Sequence, residues 1–178
     1  MAVPQLRPEM LSFELPDEAA TACLAQSLAA RARNGDVFAL FGELGSGKTA
    51  FARAFINALP APGGTAPVSG PAGAPEEVPS PTFTLLQTYE RAPAPVWHFD
   101  LYRLVRPDEV YELGFEDALA EGIVLIEWPE RLGPLLPVER LELRFDFAES
   151  TEARRVTLTG TGSWVRRLRD LERPGERS

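Results

Sequence analysis

Eight consecutive residues, Gly42-Glu43-Leu44-Gly45-Ser46-Gly47-Lys48-Thr49, match the phosphate-loop pattern G-x-x-x-x-G-K-S/T. In such a loop the glycines let backbone N–H groups converge on phosphate oxygens, and the helix that follows adds its positive amino-terminal dipole. The pattern predicts binding of ATP with magnesium and its hydrolysis, with Lys48 on the β- and γ-phosphates and Thr49 on the metal. A glycine turn with no ligand would leave Lys48 and Thr49 unexplained. The run Ile123-Val124-Leu125-Ile126 ends in Glu127, a carboxylate placed to complete the metal's shell or hold its waters, although any buried strand can end on a polar residue. Asp100 closes Val96-Trp97-His98-Phe99 at a strand end, from which it could orient or deprotonate an attacking water. His98, the single histidine, lies on the same side two residues earlier and by itself reads more readily as a structural residue. Ser80-Pro81-Thr82-Phe83-Thr84 offers hydroxyls that could sense a γ-phosphate as a switch loop does, or simply makes a proline turn.

Lysine usage sharpens the reading. Of 18 basic residues 17 are arginine, and Lys48 is the sole lysine. A phosphate loop needs a slim, flexible ammonium where a planar guanidinium fits poorly. The guanine-recognition signature N-K-x-D is absent, which disfavours GTP.

These groups need strands and helices to hold them. Ser12 to Leu15 reads as a short strand and Pro16-Asp17-Glu18 as a helix start, with Ala20, Cys23, Leu24 and Leu28 on one face and Asn34-Gly35 as its end. Cys23, the lone cysteine, is expected to be a buried packing residue. Asp36 to Phe41 is a continuous apolar run that suits a strand buried on both faces. From Lys48 a helix follows, with Phe51, Phe55 and Leu59 at four-residue spacing and Pro60 closing it. Residues 60–79, rich in Pro, Gly and Ala, read as a flexible surface insertion. Thr84 to Tyr89 and Val96 to Phe99 predict a hairpin. Short helices are expected from Pro107 and over Phe115 to Ala120, a buried strand over Gly122 to Glu127, strands over Leu141 to Phe147 and Arg155 to Thr159, and a terminal helix from Ser163. The sum is one α/β domain over residues 1–178, a three-layer α/β/α P-loop NTPase-like fold around a mixed, largely parallel sheet.

Charge limits the partners. The net charge is −8, and the basic excess is confined to residues 151–178, with 7 basic against 4 acidic side chains. An acidic body argues against a direct grip on nucleic acid, and Arg166, Arg167, Arg169, Arg173 and Arg177 are expected to form a solvated helix face. No run of 18 apolar residues exists and the first residues lack a signal-peptide layout, so a cytoplasmic location is expected, with no membrane attachment.

Taken in order, Leu15-Pro16-Asp17-Glu18, the 42–49 loop, Ser80-Pro81-Thr82-Phe83-Thr84-Leu85, His98-Phe99-Asp100-Leu101-Tyr102-Arg103 and Glu127-Trp128-Pro129-Glu130 resemble the TsaE (YjeE) family, small bacterial P-loop ATPases required for threonylcarbamoyladenosine modification of tRNA. The resemblance covers most of the chain. It implies that Thr49 and Glu127 hold magnesium and that Asp100, Lys48 and Glu127 serve catalysis. It also implies that Asp17, Glu43, Leu44, Gly45, Ser46, Gly47, Lys48, Thr49, Thr82, Asp100 and Trp128 contact ATP. The implied partner is the TsaB–TsaD pair, which transfers threonylcarbamoyl to adenosine 37 of tRNAs reading ANN codons, so that tRNA is met only through the complex. The 60–79 insertion departs from the family pattern. Arg103 is a candidate arginine finger, and a partner could equally supply one. Two rivals stay open: a kinase using Asp100 toward a substrate hydroxyl, and a binding module in which ATP only orders Ser80 to Leu85.

Overall fold

The computed structural model describes residues 8–67, 76–148 and 153–171. Seven strands form one sheet in the order β1-β7-β6-β2-β5-β4-β3: β1 Glu9–Leu15, β2 Val37–Phe41, β3 Leu86–Tyr89, β4 Val96–Asp100, β5 Ile123–Glu127, β6 Leu141–Phe147 and β7 Arg154–Gly160. The four central strands β6, β2, β5 and β4 run parallel, while β3 on β4, β7 on β6 and β1 on β7 are antiparallel. The sheet is mixed as expected, but its parallel part is confined to the centre, with three parallel and three antiparallel pairings.

Alternation along the central strands explains two covered faces. Phe38, Leu40, Ile123, Leu125, Leu141 and Leu143 point to one side, where they meet α1 (Glu18–Ala29), α2 (Lys48–Ala58) and α4 (Trp164–Arg169). Val37, Val124, Ile126 and Phe99 point to the other, against α3 (Phe115–Glu121) and the 3-10 turns Pro107–Leu113 and Pro129–Leu135. Strands whose both faces are covered have no wet side, which is why β2 and β5 read as unbroken apolar runs. Phe55, fully buried, meets Phe38 edge to face with ring centroids 4.7 Å apart and anchors α2 to β2. Truncating such a ring to Ala costs about 3–5 kcal/mol.

Several local expectations change. Cys23 is exposed, because the face of α1 that turns inward is Thr21, Leu24, Ala25, Leu28 and Ala29, and position 23 falls outside that stripe. The first strand begins at Glu9 rather than Ser12, lengthened by pairing with β7. The first helix ends at Ala29, and a turn then leads to Gly35 at φ 84°. Within 60–79, residues 68–75 lie outside the described residues, and the carboxyl flank is anchored rather than loose. There Val78 is buried, Arg53 Nε donates to its carbonyl at 3.0 Å, Asn57 Nδ2 donates to Glu76 O at 3.0 Å, and Arg91 pairs with the Glu76 carboxylate. The last helix is not uniformly solvated either. Arg167 turns inward, its guanidinium donating to both Asp36 oxygens at 2.7 and 2.6 Å and stacking 3.7 Å from the Trp164 ring centroid. Arg169 pairs with Glu9 at 3.1 Å, and Arg173 and Arg177 lie outside the described residues. Among the described residues no helix is long and apolar enough to cross a membrane.

Candidate nucleotide site

Parallel strands end together, so β2, β4, β5 and β6 deliver their carboxyl termini to one edge of the sheet, where open α/β sheets bind ligands. From β2 the chain passes through Gly42 to Gly47 and enters α2 at Lys48. Gly42 has φ 143°, and a Cβ there would stand 2.5 Å from Ser46 Oγ and 2.6 Å from Phe145 O, so only glycine lets the loop leave the strand this closely. No side chain caps the first turn of α2, leaving its N–H groups free for an anion.

A cleft of about 390 Å³ lies against this turn, lined by Leu44, Lys48, Thr49, Thr82, Asp100, Tyr102, Glu127 and Trp128 among others. Lys48 Nζ donates to Gly42 O at 2.6 Å and Glu43 O at 2.8 Å, and lies 4.2 Å from the Trp128 ring centroid. Burial pushes its pKa below the usual 10.5, with the carboxylates of Glu127, Glu130 and Asp100 partly opposing that shift. Thr49 Oγ1 donates to the Glu127 carboxylate, 3.1 Å from Oε1 and 2.9 Å from Oε2. The Asp100 carboxylate is covered by its neighbours: Thr82 Oγ1 donates to Oδ2 at 2.9 Å, Ser80 Oγ at 3.3 Å, and the Tyr102 N–H to Oδ1 at 3.1 Å. Two non-glycine residues with positive φ, Leu85 at 63° and Trp128 at 58°, stand where the 80–85 loop and β5 reach the cleft. Such strain persists only where surrounding structure enforces it. Here Leu85 N–H donates to Pro81 O at 2.7 Å, and Leu85 O accepts from Asp100 N–H at 3.0 Å.

The cleft thus gathers Lys48, Thr49, Thr82, Asp100, Glu127 and Trp128. Leu44 and Gly45 line it too, while Glu43 faces the adjoining hollow beside β6. Asp17 is not brought into it: the residue lies just past the end of β1 and caps α1, its Oδ1 accepting from Ala20 N–H at 2.8 Å. Arg103 stacks 4.4 Å from the centroid of the exposed Phe83 ring. Two features were missed. Tyr102 packs its ring 4.9 Å from that of Trp128, and His98 Nε2 lies 2.8 Å from Glu127 Oε1. The second had a signal in the sequence, the shared side of His98 and Asp100, but the pairing of β4 with β5 that brings Glu127 alongside is not written locally. Ser46 Oγ is fully buried with no hydrogen-bond partner among the described residues. Hard oxygen donors beside the uncapped start of α2 and an ammonium fit a polyphosphate with a hard cation. A larger hollow of about 870 Å³ between α1, α2 and the 92–93 turn is lined chiefly by alanine and proline.

The fold and site define an α/β protein with a glycine-rich turn and a polar cleft at the carboxyl edge of a parallel core. Residues 15–156 match the family model described as "Threonylcarbamoyl adenosine biosynthesis protein TsaE". The chain is 38% identical to a tRNA threonylcarbamoyladenosine biosynthesis protein TsaE of Rickettsia felis over 138 residues, covering 78% of this chain and 74% of that one. With the protein of the same description from Bacillus subtilis it shares 35% identity over 149 residues, 83% of each chain. The crystal structure of Bacillus subtilis YdiB superposes with a TM-score of 0.69 at 28% identity, covering 93% of this chain and 95% of that one. The chain belongs to the TsaE family of tRNA threonylcarbamoyladenosine biosynthesis proteins.

Proposed function

We propose that this chain is a cytoplasmic P-loop ATPase that binds magnesium ATP in the cleft around Lys48 and hydrolyses it, acting on the TsaB–TsaD pair in support of threonylcarbamoylation of adenosine 37 in tRNAs reading ANN codons. The observation that carries this reading is the meeting, at one edge of the sheet, of an anion loop, the Thr49–Glu127 pair at 2.9 Å and the buried Asp100 carboxylate.

The division of labour follows from the atoms present. Backbone N–H groups of the loop and of the first turn of α2 hold the phosphates, and Lys48 exchanges the carbonyls of Gly42 and Glu43 for phosphate oxygens. Thr49 Oγ1 and the Glu127 carboxylate would hold a magnesium ion, whose chemistry there would be to neutralise phosphate charge. Asp100 aligns the attacking water once Thr82 and Ser80 release its Oδ2. Trp128 and Tyr102, packed on each other, form a wall that limits water at the phosphates. An acidic chain of net charge −8 suits contact with tRNA through partners only.

Equilibrium ATP binding by wild type, Lys48→Ala and Thr49→Ala, each with magnesium and with a chelator, tests the site. The expected pattern is metal-tightened binding lost in both variants, with Thr49→Ala keeping its chelator-level affinity. Equal binding by all three proteins would contradict the reading.

A further inference from the structure

Glu127 is 2% exposed, yet only one of the two side chains bonded to it belongs to the glycine loop and its helix. The other is His98, itself fully buried, with Nε2 2.8 Å from Glu127 Oε1. We propose that His98 is a positioning residue that pins Oε1 of Glu127, so that Oε2 is the oxygen presented to the cation. The proposal rests on the reading of Glu127 as a metal ligand.

The chemistry of the contact fixes the proton. An ionised carboxylate only accepts hydrogen bonds, so Nε2 must carry the N–H. His98 Nδ1 is buried with no hydrogen-bond partner among the described residues. Nδ1 thus offers no competing anchor, and Nε2 is the ring atom through which the imidazole is held. Both backbones are held in the sheet, Asp100 opposite Glu127 and His98 opposite Leu125 on the paired parallel strands, so the imidazole reaches Glu127 on the diagonal and neither group can drift. The third party is already biased: Thr49 Oγ1 is nearer to Oε2, at 2.9 Å, than to Oε1, at 3.1 Å. When that hydroxyl turns toward a cation, Oε2 is freed while His98 still restrains Oε1. Partners that orient a metal-bound carboxylate in this way typically carry 10–100-fold of metal affinity, on the order of magnitude seen across metal sites.

Two measurements decide the matter. Nitrogen NMR of the ligand-free wild type reads a single imidazole, because the chain has one histidine. The expected signature is a proton on Nε2, and an Nδ1–H tautomer with a bare Nε2 would overturn the proposal without reference to any metal. In magnesium titrations of ATP binding, His98→Phe should raise the half-saturating magnesium concentration by about 10–100-fold while leaving chelator-level affinity in place. His98→Gln, which restores an N–H donor, should recover most of that loss, and adding His98→Phe to Glu127→Gln should cost nothing further. An unchanged magnesium requirement in His98→Phe, or equal damage from Phe and Gln, would overturn the positioning role. Wild-type binding that ignores magnesium would instead sink the metal reading of Glu127, and the tautomer would separate that failure from a failure of the His98 contact.

Discussion

Asp100 and Glu127 are register partners, closing β4 and β5 side by side on adjacent parallel strands. The two carboxylates differ in their company. Glu127 is bonded to Thr49 and His98, at the start of α2 and inside the sheet, whereas Asp100 is bonded to the 80–85 loop and the chain just past β4. On the proposed function, that difference assigns the metal to Glu127 and the attacking water to Asp100, whose Oδ2 is held by the 80–85 loop.

Replacing Asp100 by Asn keeps the hydrogen-bonding shape but removes the charge. Phosphate release should fall by about 10²–10⁴-fold, the usual size of a general-base contribution, with ATP affinity within a few-fold of wild type. Parallel turnover and binding assays check this, and a matching loss of affinity would place Asp100 in binding instead.

Lys48 holds its ammonium at a cost, since burial lowers its pKa from 10.5. Between the lowered value and 10.5 the unfolded chain binds more protons than the folded one, so ligand-free stability rises with pH across that window. A Lys48→Met variant lacks this gain. Its stability relative to wild type should therefore decline as pH climbs through the window, read by denaturant melts at several alkaline pH values. ATP affinity should fall about 10–100-fold, as expected for losing charge-assisted bonds.

Gly42→Ala would set a methyl group 2.5 Å from Ser46 Oγ and 2.6 Å from Phe145 O at a φ of 143°. The expected loss is about 1–3 kcal/mol in ligand-free stability, with ATP binding weakened as the loop shifts. Calorimetric melts give the first quantity and equilibrium binding the second.

Arg167 and Asp36 join α4 to the entry of β2 with side chains 11% and 9% exposed. Arg167→Ala leaves Asp36 largely buried without its guanidinium and should cost about 3–5 kcal/mol in a denaturant titration, while leaving the relative ATP affinities of the other variants unmoved.

The sequence made much of this legible because the governing signals are local. Two-sided burial wrote β2 and β5 as apolar runs, and the 42–49 pattern named its own strand and helix. What stayed hidden depended on register or on partners far along the chain. Cys23 was misplaced because alanine-rich α1 gives a weak apolar stripe, leaving the inward direction to be set by α2 and β1. Arg167 looked like one of a solvated run until Asp36, distant in sequence, supplied its partner. His98 could be placed on the side of Asp100, but only the β4–β5 pairing shows that it meets Glu127.

The most direct test of the central claim is phosphate release from magnesium ATP by the purified chain, alone and with the TsaB–TsaD pair, for wild type and Asp100→Ala. The account predicts slow release alone, stimulation by the pair, and loss of that stimulated rate in the variant. Release that the pair leaves unchanged, with no complex formed, or a stimulated rate that survives in Asp100→Ala, would contradict it.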